Sequence, residues 1–159
     1  MRILFLVFLH LVPIGALACS VPLQSTYLSH IQLVEKSNLI VLVKLKGMTK
    51  ANGRVVYELS TVKSLKGSPK QSYLIQRRGP ATGYERLDFD GHASDAFWRK
   101  DGLGRGGWLP GLCSPNFDFS YGVEYLLFPE MLCNGSAAEA ILSDDDRWLK
   151  FVIEKLDSN

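Results

Sequence analysis

LIVLV, at positions 39–43, is a run of five aliphatic residues, three of them β-branched. The run is too short for a helix of its own, and it predicts a buried strand over 38–46. Further along the chain, RVVYELSTVKSL at 54–65 alternates with period two, so that Tyr57 and Leu59 face the same way. This alternation favours an antiparallel sheet with one wet face. The polar residues between the two strands, 47–53, are predicted to form a turn region.

Three further strands and two terminal helices complete the predicted fold. The strands are placed at 72–78, 122–129 and 138–142. The helices are placed at 26–36, capped by Ser25, and at 144–157, capped by Ser143 with aspartates in the first turn. Short strands without βαβ alternation are typical of a small barrel. The sequence therefore predicts a mainly β fold, a five-stranded antiparallel barrel with flanking N- and C-terminal helices.

The composition is that of a single globular domain. The chain has 159 residues, of which 47% are hydrophobic and 21% are charged, as in ordinary folded proteins. Lys and Arg total 18 against 16 Asp and Glu, which gives a formal charge of +2. A surface so nearly balanced offers no basic face to replace phosphate counterions. Nucleic acid is therefore not expected as a partner.

Residues 1–18 have the pattern of a secretory signal peptide. Arg2 is followed by an apolar run and by an Ala-x-Ala site that ends at Ala18. We therefore expect a mature chain, 19–159, that forms one domain, is secreted or periplasmic, and has no transmembrane span. The alternative is a lipid anchor through Cys19, because a cysteine at the cleavage site is also what a bacterial lipoprotein presents.

The three cysteines, Cys19, Cys113 and Cys133, all belong to the predicted mature chain. An odd number leaves one thiol unpaired, lipidated or bonded to another chain. Without a lipid, Cys19 could pair with Cys113 and pin the N-terminus to the barrel; with a lipid, the pair left is Cys113 with Cys133. A catalytic thiol needs a base such as histidine, and the mature chain has His30 and His92 alone. Because no set of nucleophile, base and orienting group is visible, we do not expect an enzyme.

A glycine-rich insert near 79–111 interrupts the predicted strands, and its one predicted helix is Ser94 to Lys100, with Ser94 as the cap. Long loops inside compact domains are usually functional. Within the insert, Asp88, Asp90 and His92 offer the oxygen and imidazole ligands that suit calcium or zinc. Their spacing matches no defined metal site, so a polar loop is the preferred interpretation. No cofactor and no intrinsic metal are predicted.

The order of several short segments carries a family resemblance. Cys19-Ser20-Val21-Pro22 stands at the predicted new N-terminus, Lys66-Gly67 ends the second strand, and Gly122-Val123-Glu124-Tyr125-Leu126 lies between Cys113 and Cys133. In this order the chain resembles the superfamily of tissue inhibitors of metalloproteinases and netrin modules, in particular its compact bacterial members. The resemblance covers most of 19–157 and leaves out the insert. It implies a five-stranded OB-type barrel with helices packed on it.

The resemblance implies a secreted or envelope-associated module that binds an unidentified protein partner. The alternative function is inhibition of a zinc metalloprotease, whose metal would be chelated by the amino group and carbonyl of Cys19. An α-amine with a pKa near 8 is partly neutral at pH 7 and can enter the open position of that zinc. Val21 departs from the inhibitors, which carry a second cysteine at this position.

The residues implied to bind lie at the predicted mature N-terminus and are Cys19, Ser20, Val21 and Pro22. A disulfide from Cys19 to Cys113 would hold this edge in place and leave Cys133 unpaired, with the loop 133–136 beside it. A terminus fixed in this way loses little entropy when it binds. The proline also biases the residue before it towards an extended conformation, which suits insertion into a groove.

Overall fold

The computed structural model describes residues 28–78, 90–99, 108–109, 114–115, 118–132 and 137–158. The helices are α1 His30–Lys36, α2 Asp95–Trp98 and α3 Arg147–Asp157, and a 3-10 turn spans Pro129–Met131. The strands are β1 Ile40–Ala51, β2 Arg54–Lys66, β3 Ser72–Arg78, β4 Trp108–Leu109, β5 Ser114–Pro115, β6 Glu124–Leu127 and β7 Ala138–Ile141. The fold is mainly β, as the sequence predicts.

Five strands form one antiparallel sheet in the order β3-β2-β1-β6-β7. This confirms the predicted five-stranded antiparallel arrangement. β4 and β5 form a separate two-stranded ribbon. Over the described strands the sheet is open, with β3 at one edge and β7 at the other. The central position of β1 fits its sequence, because an aliphatic run needs neighbours on both sides.

The hairpin between β1 and β2 shows that the predicted turn region at 47–53 contains the turn but is too long. β1 continues through that stretch and pairs with β2 until Ala51 lies opposite Arg54. The turn consists of Asn52 and Gly53, with φ of +51° and +69°. Asn-Gly favours a type I′ turn, whose twist matches that of the flanking strands. The polar end of β1 therefore reflects the exposure of the hairpin to solvent.

The sheet buries side chains on both of its faces. Val41 and Val43 of β1 belong to a first core, which they share with β2, β3 and β6. Ile40 and Leu42 point the other way, into a second core formed with the three helices. A strand buried on both faces reads as a continuous apolar run, which explains LIVLV. The second core lies mainly over β1, β6 and β7, and among the described residues it includes none from β3.

Helix α1 begins at His30, so the predicted start at residue 26 with a cap at Ser25 is wrong. The hydroxyl of Ser29 accepts a hydrogen bond from the Gln32 amide at 3.3 Å, and the Gln32 side chain accepts one from the Ser29 amide at 3.0 Å. This reciprocal capping box satisfies two amides that the first turn would otherwise leave unbonded. The helix ends at Lys36, as predicted.

Helix α3 begins at Arg147, so the predicted cap at Ser143 is also wrong. The cap is Asp146, whose carboxylate accepts hydrogen bonds from the amides of Trp148 and Leu149 at 2.9 and 3.2 Å. The predicted cap Ser94 is confirmed, since its hydroxyl accepts from the second residue of α2. Among the helices in the described ranges, none is long and apolar enough to cross a membrane.

Candidate functional site

The residues predicted to bind and to form the disulfide lie outside the described residues: Cys19, Ser20, Val21, Pro22, Cys113 and Cys133. The predicted binding edge and the disulfide therefore stay predictions. The metal candidate Asp88 also lies outside. The described part of the chain does contain a groove, two buried clusters of ionisable side chains and a strand edge with no further ladder, and these features define the candidate site.

A groove of about 590 Å³ opens between the beginning of β3 and the 3-10 turn; we call it the β3 groove. Its floor includes Leu39, Tyr73 and Leu132, which pack on the first core while staying partly exposed. Lys70 and Glu130 supply charge at its margins. A mostly apolar concave surface with few polar groups is the usual form of a binding site.

The β3 groove is bordered by the outer edge of β3. This strand forms a ladder with β2 on one side, and no described strand pairs with its other side. β5 approaches β3 without forming a ladder with it. Leu74, at the middle of the edge, is 72% exposed, the largest exposure among the exposed apolar side chains of the described chain. The groove and the edge together present apolar surface and a strand that can accept a neighbour.

A first buried cluster centres on His92, which is fully buried together with Glu139. Its Nδ1 lies 2.9 Å from both carboxylate oxygens of Asp146, and its Nε2 lies 3.4 Å from Glu139 Oε2. Burial by itself lowers the pKa of His92, but hydrogen bonds and charge from the two carboxylates outweigh it and raise the pKa above 6.5. The cluster fastens α2 and its flanking residues to β7 and to the start of α3.

His30 lies beside this cluster, in a nest of aromatic rings. Its ring stacks on Phe97 at a centroid distance of 4.4 Å and lies 4.8 Å from the Trp148 ring. Burial lowers the pKa of His30 to about 4; the charge of Glu139 opposes this fall and the nearby His92 adds to it. The Nε2 of His30 and the Nε1 of Trp148 are buried and form no hydrogen bond with any described residue. The neutral imidazole therefore behaves as part of the second core.

A second buried cluster lies on the opposite face of the sheet. The Tyr57 hydroxyl donates to Asp118, and Arg77 Nη1 lies 2.7 Å from the same carboxylate. Burial, and then the hydrogen bond and charge of Asp118, raise the pKa of Tyr57 well above its ordinary value. The Arg77 and Asp118 side chains are 7% and 12% exposed. This pair ties β3 to the segment that precedes β6.

The two described metal candidates occupy different surroundings, since Asp90 is exposed and His92 is buried. Both ring nitrogens of His92 face carboxylates. Within the described ranges, no three His, Cys, Asp or Glu side chains are grouped so that they could hold a metal ion. A fully buried imidazole also has no route to a substrate, so the arrangement is suited to holding the fold together.

Sequence reasoning missed the partners of both clusters. His92 meets Glu139 and Asp146 across 47 and 54 residues of chain, and Asp118 meets Arg77 across 41 residues. The spacing of residues along the chain does not predict pairs so far apart in the sequence. One signal was available for the strand edge: Leu74 falls on the polar face of an alternating strand, between Tyr73 and Ile75, where an apolar residue is unexpected.

Comparisons with protein-family models, with curated proteins and with solved structures found no match to this chain. They neither support nor oppose the resemblance to the metalloproteinase inhibitors and netrin modules. The function must be inferred from the residues and from the geometry of the described chain.

Proposed function

We propose that this chain is a non-enzymatic protein-binding module of the kind found among tissue inhibitors of metalloproteinases and netrin modules. In this proposal residues 1–18 are removed on secretion, and residues 19–159 form one OB-type domain that acts outside the cytoplasm or on the cell envelope. The observation that carries the proposal is the β3 groove with the apolar strand edge beside it, on which no described strand forms a ladder. Exposed apolar surface of this kind marks interaction sites.

The distribution of ionisable side chains supports binding over catalysis. His92, Glu139 and Asp146 are at most 2% exposed, and a group that solvent does not reach cannot exchange protons with a substrate. The other buried cluster, around Asp118, lies against the first core. Both clusters are suited to fixing the fold, which leaves the outer surface for a partner.

The groove also reaches the residue that precedes the predicted loop 133–136. Its floor includes Leu132, the residue before Cys133 in the chain. The sequence-based prediction is that the loop 133–136 lies beside the edge formed by Cys19 to Pro22. We therefore propose one continuous binding surface, with the β3 groove at one end and the mature N-terminus at the other.

Site-specific photo-crosslinking tests the proposal. A photoreactive amino acid is placed at Ser72 or at Leu132, beside the groove, and at Ile153 of α3 as a control on a remote exposed surface. The protein is expressed with its own N-terminal segment in its own host. We expect adducts of the same discrete mass from the two groove positions and none from Ile153. Equal adducts at all three positions, or none at any, would refute a binding module centred on this groove.

The inhibitor alternative and the processing have their own test. The intact mass of the mature protein shows whether it begins at Cys19 and whether that amine is free or acylated. The purified protein, and a form with one alanine added before Cys19, are then titrated against a panel of zinc proteases. Inhibition by the native form and its loss on extension would support chelation through Cys19. An acylated amine, or absence of inhibition at micromolar concentration, excludes that mechanism.

A further inference from the structure

We propose that the outer edge of β3 binds an acidic, extended segment of the partner protein as an additional β-strand. This inference rests on the proposed binding function and names the chemistry of the partner. Adding a strand to a sheet edge takes its affinity from main-chain hydrogen bonds and its specificity from alternate side chains. The backbone of β3, the surface beside it and its charge each supply one part of the argument.

The hydrogen-bond register shows which amides point outward. The amide of Thr61 donates to the carbonyl of Gln71 at 3.0 Å, one residue before the ladder in which Ser60 faces Ser72. Bonded and non-bonded pairs alternate along an antiparallel ladder. Tyr73 and Ile75 therefore use their backbone groups towards β2. The backbone groups of Ser72 and Leu74 point away from β2, along the side of the groove.

Within the described residues, two devices that usually protect an edge are missing from this one, a proline and a bulge, although Arg77 points inward and β5 approaches β3. Natural edge strands carry inward charges, proline, a bulge or a covering element. Ser72–Arg78 contains no proline, and its register with β2 is unbroken from Ser60 opposite Ser72 to Arg54 opposite Arg78. The outward side chain at its centre is the apolar Leu74, which is 72% exposed. An added strand would lay alternate side chains into the β3 groove and bring the others against Leu74.

The charge of the β3 edge indicates the chemistry of the partner. The stretch KQSYLIQRR at 70–78 carries no acidic residue, and the basic residues Lys70 and Arg78 stand at its two ends. The charge of the third basic residue, Arg77, is already matched by Asp118. Pairing of β3 with a second copy of itself, centred on Leu74, would set Lys70 opposite Arg78. Like charges directly opposite each other destabilise a strand pair. A segment with acidic residues at its ends and apolar residues between them complements the edge, so the inferred occupant is a partner's strand and not a second copy.

The test uses a random peptide library displayed on phage, selected on the purified protein. We expect the enriched peptides to be acidic and to alternate apolar with polar residues. Leu74→Pro removes one outward amide that β2 does not use, a change that edge strands tolerate. Leu74→Ala keeps the amide and removes the side chain. Met48→Ala, at a residue 39% exposed on β1, is the matched control.

The expected affinities separate the contributions of backbone and side chain. Leu74→Pro should weaken binding about tenfold or more and Leu74→Ala about threefold, since one main-chain bond and one apolar contact are lost respectively. Met48→Ala should have no effect. If Leu74→Pro is not folded by circular dichroism, a selected peptide N-methylated at alternate amides replaces it, and binding to the native protein should disappear.

Three results would overturn the inference. The first is a selected peptide that binds Leu74→Pro and the native protein equally and tolerates N-methylation. The second is a failure to enrich any acidic alternating sequence. The third is a concentration-dependent dimer, seen by sedimentation, that Leu74→Pro abolishes, because the edge would then serve a second copy. In the first two cases crosslinks at Leu132 would still support a binding module, so failure of the strand-addition inference is distinguishable from failure of the proposed function.

Discussion

Replacing His92 with leucine should lower the free energy of unfolding by several kcal/mol. Leucine is apolar and of similar bulk, so the change removes the imidazole shared by Asp146 and Glu139 without opening a large cavity. All three side chains are at most 2% exposed, and the shorter contacts are 2.9 Å. Removing one partner of a buried ion pair costs about 3–5 kcal/mol, because the remaining charge stays in a dry environment. Domains have about 5–15 kcal/mol in all.

Urea unfolding measures this loss, with the fluorescence of the fully buried Trp148 as the signal. With an m value of about 2 kcal/mol/M, the midpoint should fall by about 1.5–2.5 M. Asp146→Asn is the informative companion, because its side-chain oxygen can still cap α3 while the charge is lost. Lys150→Ala removes an exposed ion pair with Asp145 and should leave the midpoint unchanged.

The double variant His92→Leu with Asp146→Asn tests the coupling directly. If the two groups form one ion pair, the combined loss is smaller than the sum of the two single losses, because the second change removes a charge that the first has stranded. Strict additivity would show that the contact contributes nothing. A midpoint for His92→Leu within about 0.2 M of the native value would refute the reasoning altogether.

Three further predictions follow from the backbone, from the second histidine and from the cysteines. Gly67→Ala should destabilise the protein more than Gly53→Ala in the same urea assay. Both glycines have positive φ, but a Cβ at Gly67 would lie 2.3 Å from a main-chain oxygen, whereas a Cβ at Gly53 meets nothing within 4 Å. Equal losses of stability would contradict this steric argument. His30→Gln should reduce the fall in stability as the pH drops from 6.5 to about 4. The folded protein, in which the pKa of His30 is about 4, does not take up the proton that the unfolded chain binds near pH 6.5. Unfolding midpoints that fall equally in both proteins across this range would contradict the prediction. A non-reducing peptide map should join Cys19 to Cys113, and a bond from Cys113 to Cys133 would overturn that pairing.

The sheet could be predicted because the pattern of apolar residues along each strand indicates which of its faces are buried. LIVLV is apolar at every position since β1 is buried on both faces, and the alternation around Tyr57 reports one buried face. The predicted turn region contains the hairpin turn, Asn52-Gly53, but is too long, because the polar residues 47–51 belong to the exposed end of β1. Hydrophobicity reports burial, and an exposed strand end is as polar as a turn.

The helix starts and the candidate site could not be predicted in the same way. Ser25 and Ser29 are both plausible caps, and the choice depends on Gln32 reaching back to one of them. In the sequence, Asp146 is one of three aspartates near the start of the predicted C-terminal helix. In the structure it caps α3 and contacts His92, which lies 54 residues earlier in the chain. Such pairings exist only once the sheet has brought β7 and α2 together, so they are properties of the tertiary fold.

The two faces of the sheet carry different stabilising contacts. The helices, the aromatic nest and the His92 cluster all lie over β1, β6 and β7. β3 is held differently, by its ladder with β2 and by the pair of Arg77 with Asp118 on the other face. A strand edge held at its C-terminal end by a buried ion pair, with the β3 groove beside its beginning, is already in the geometry that a new strand requires. The proposed binding of a strand there would require little further ordering, which is the condition under which a modest groove can bind a peptide.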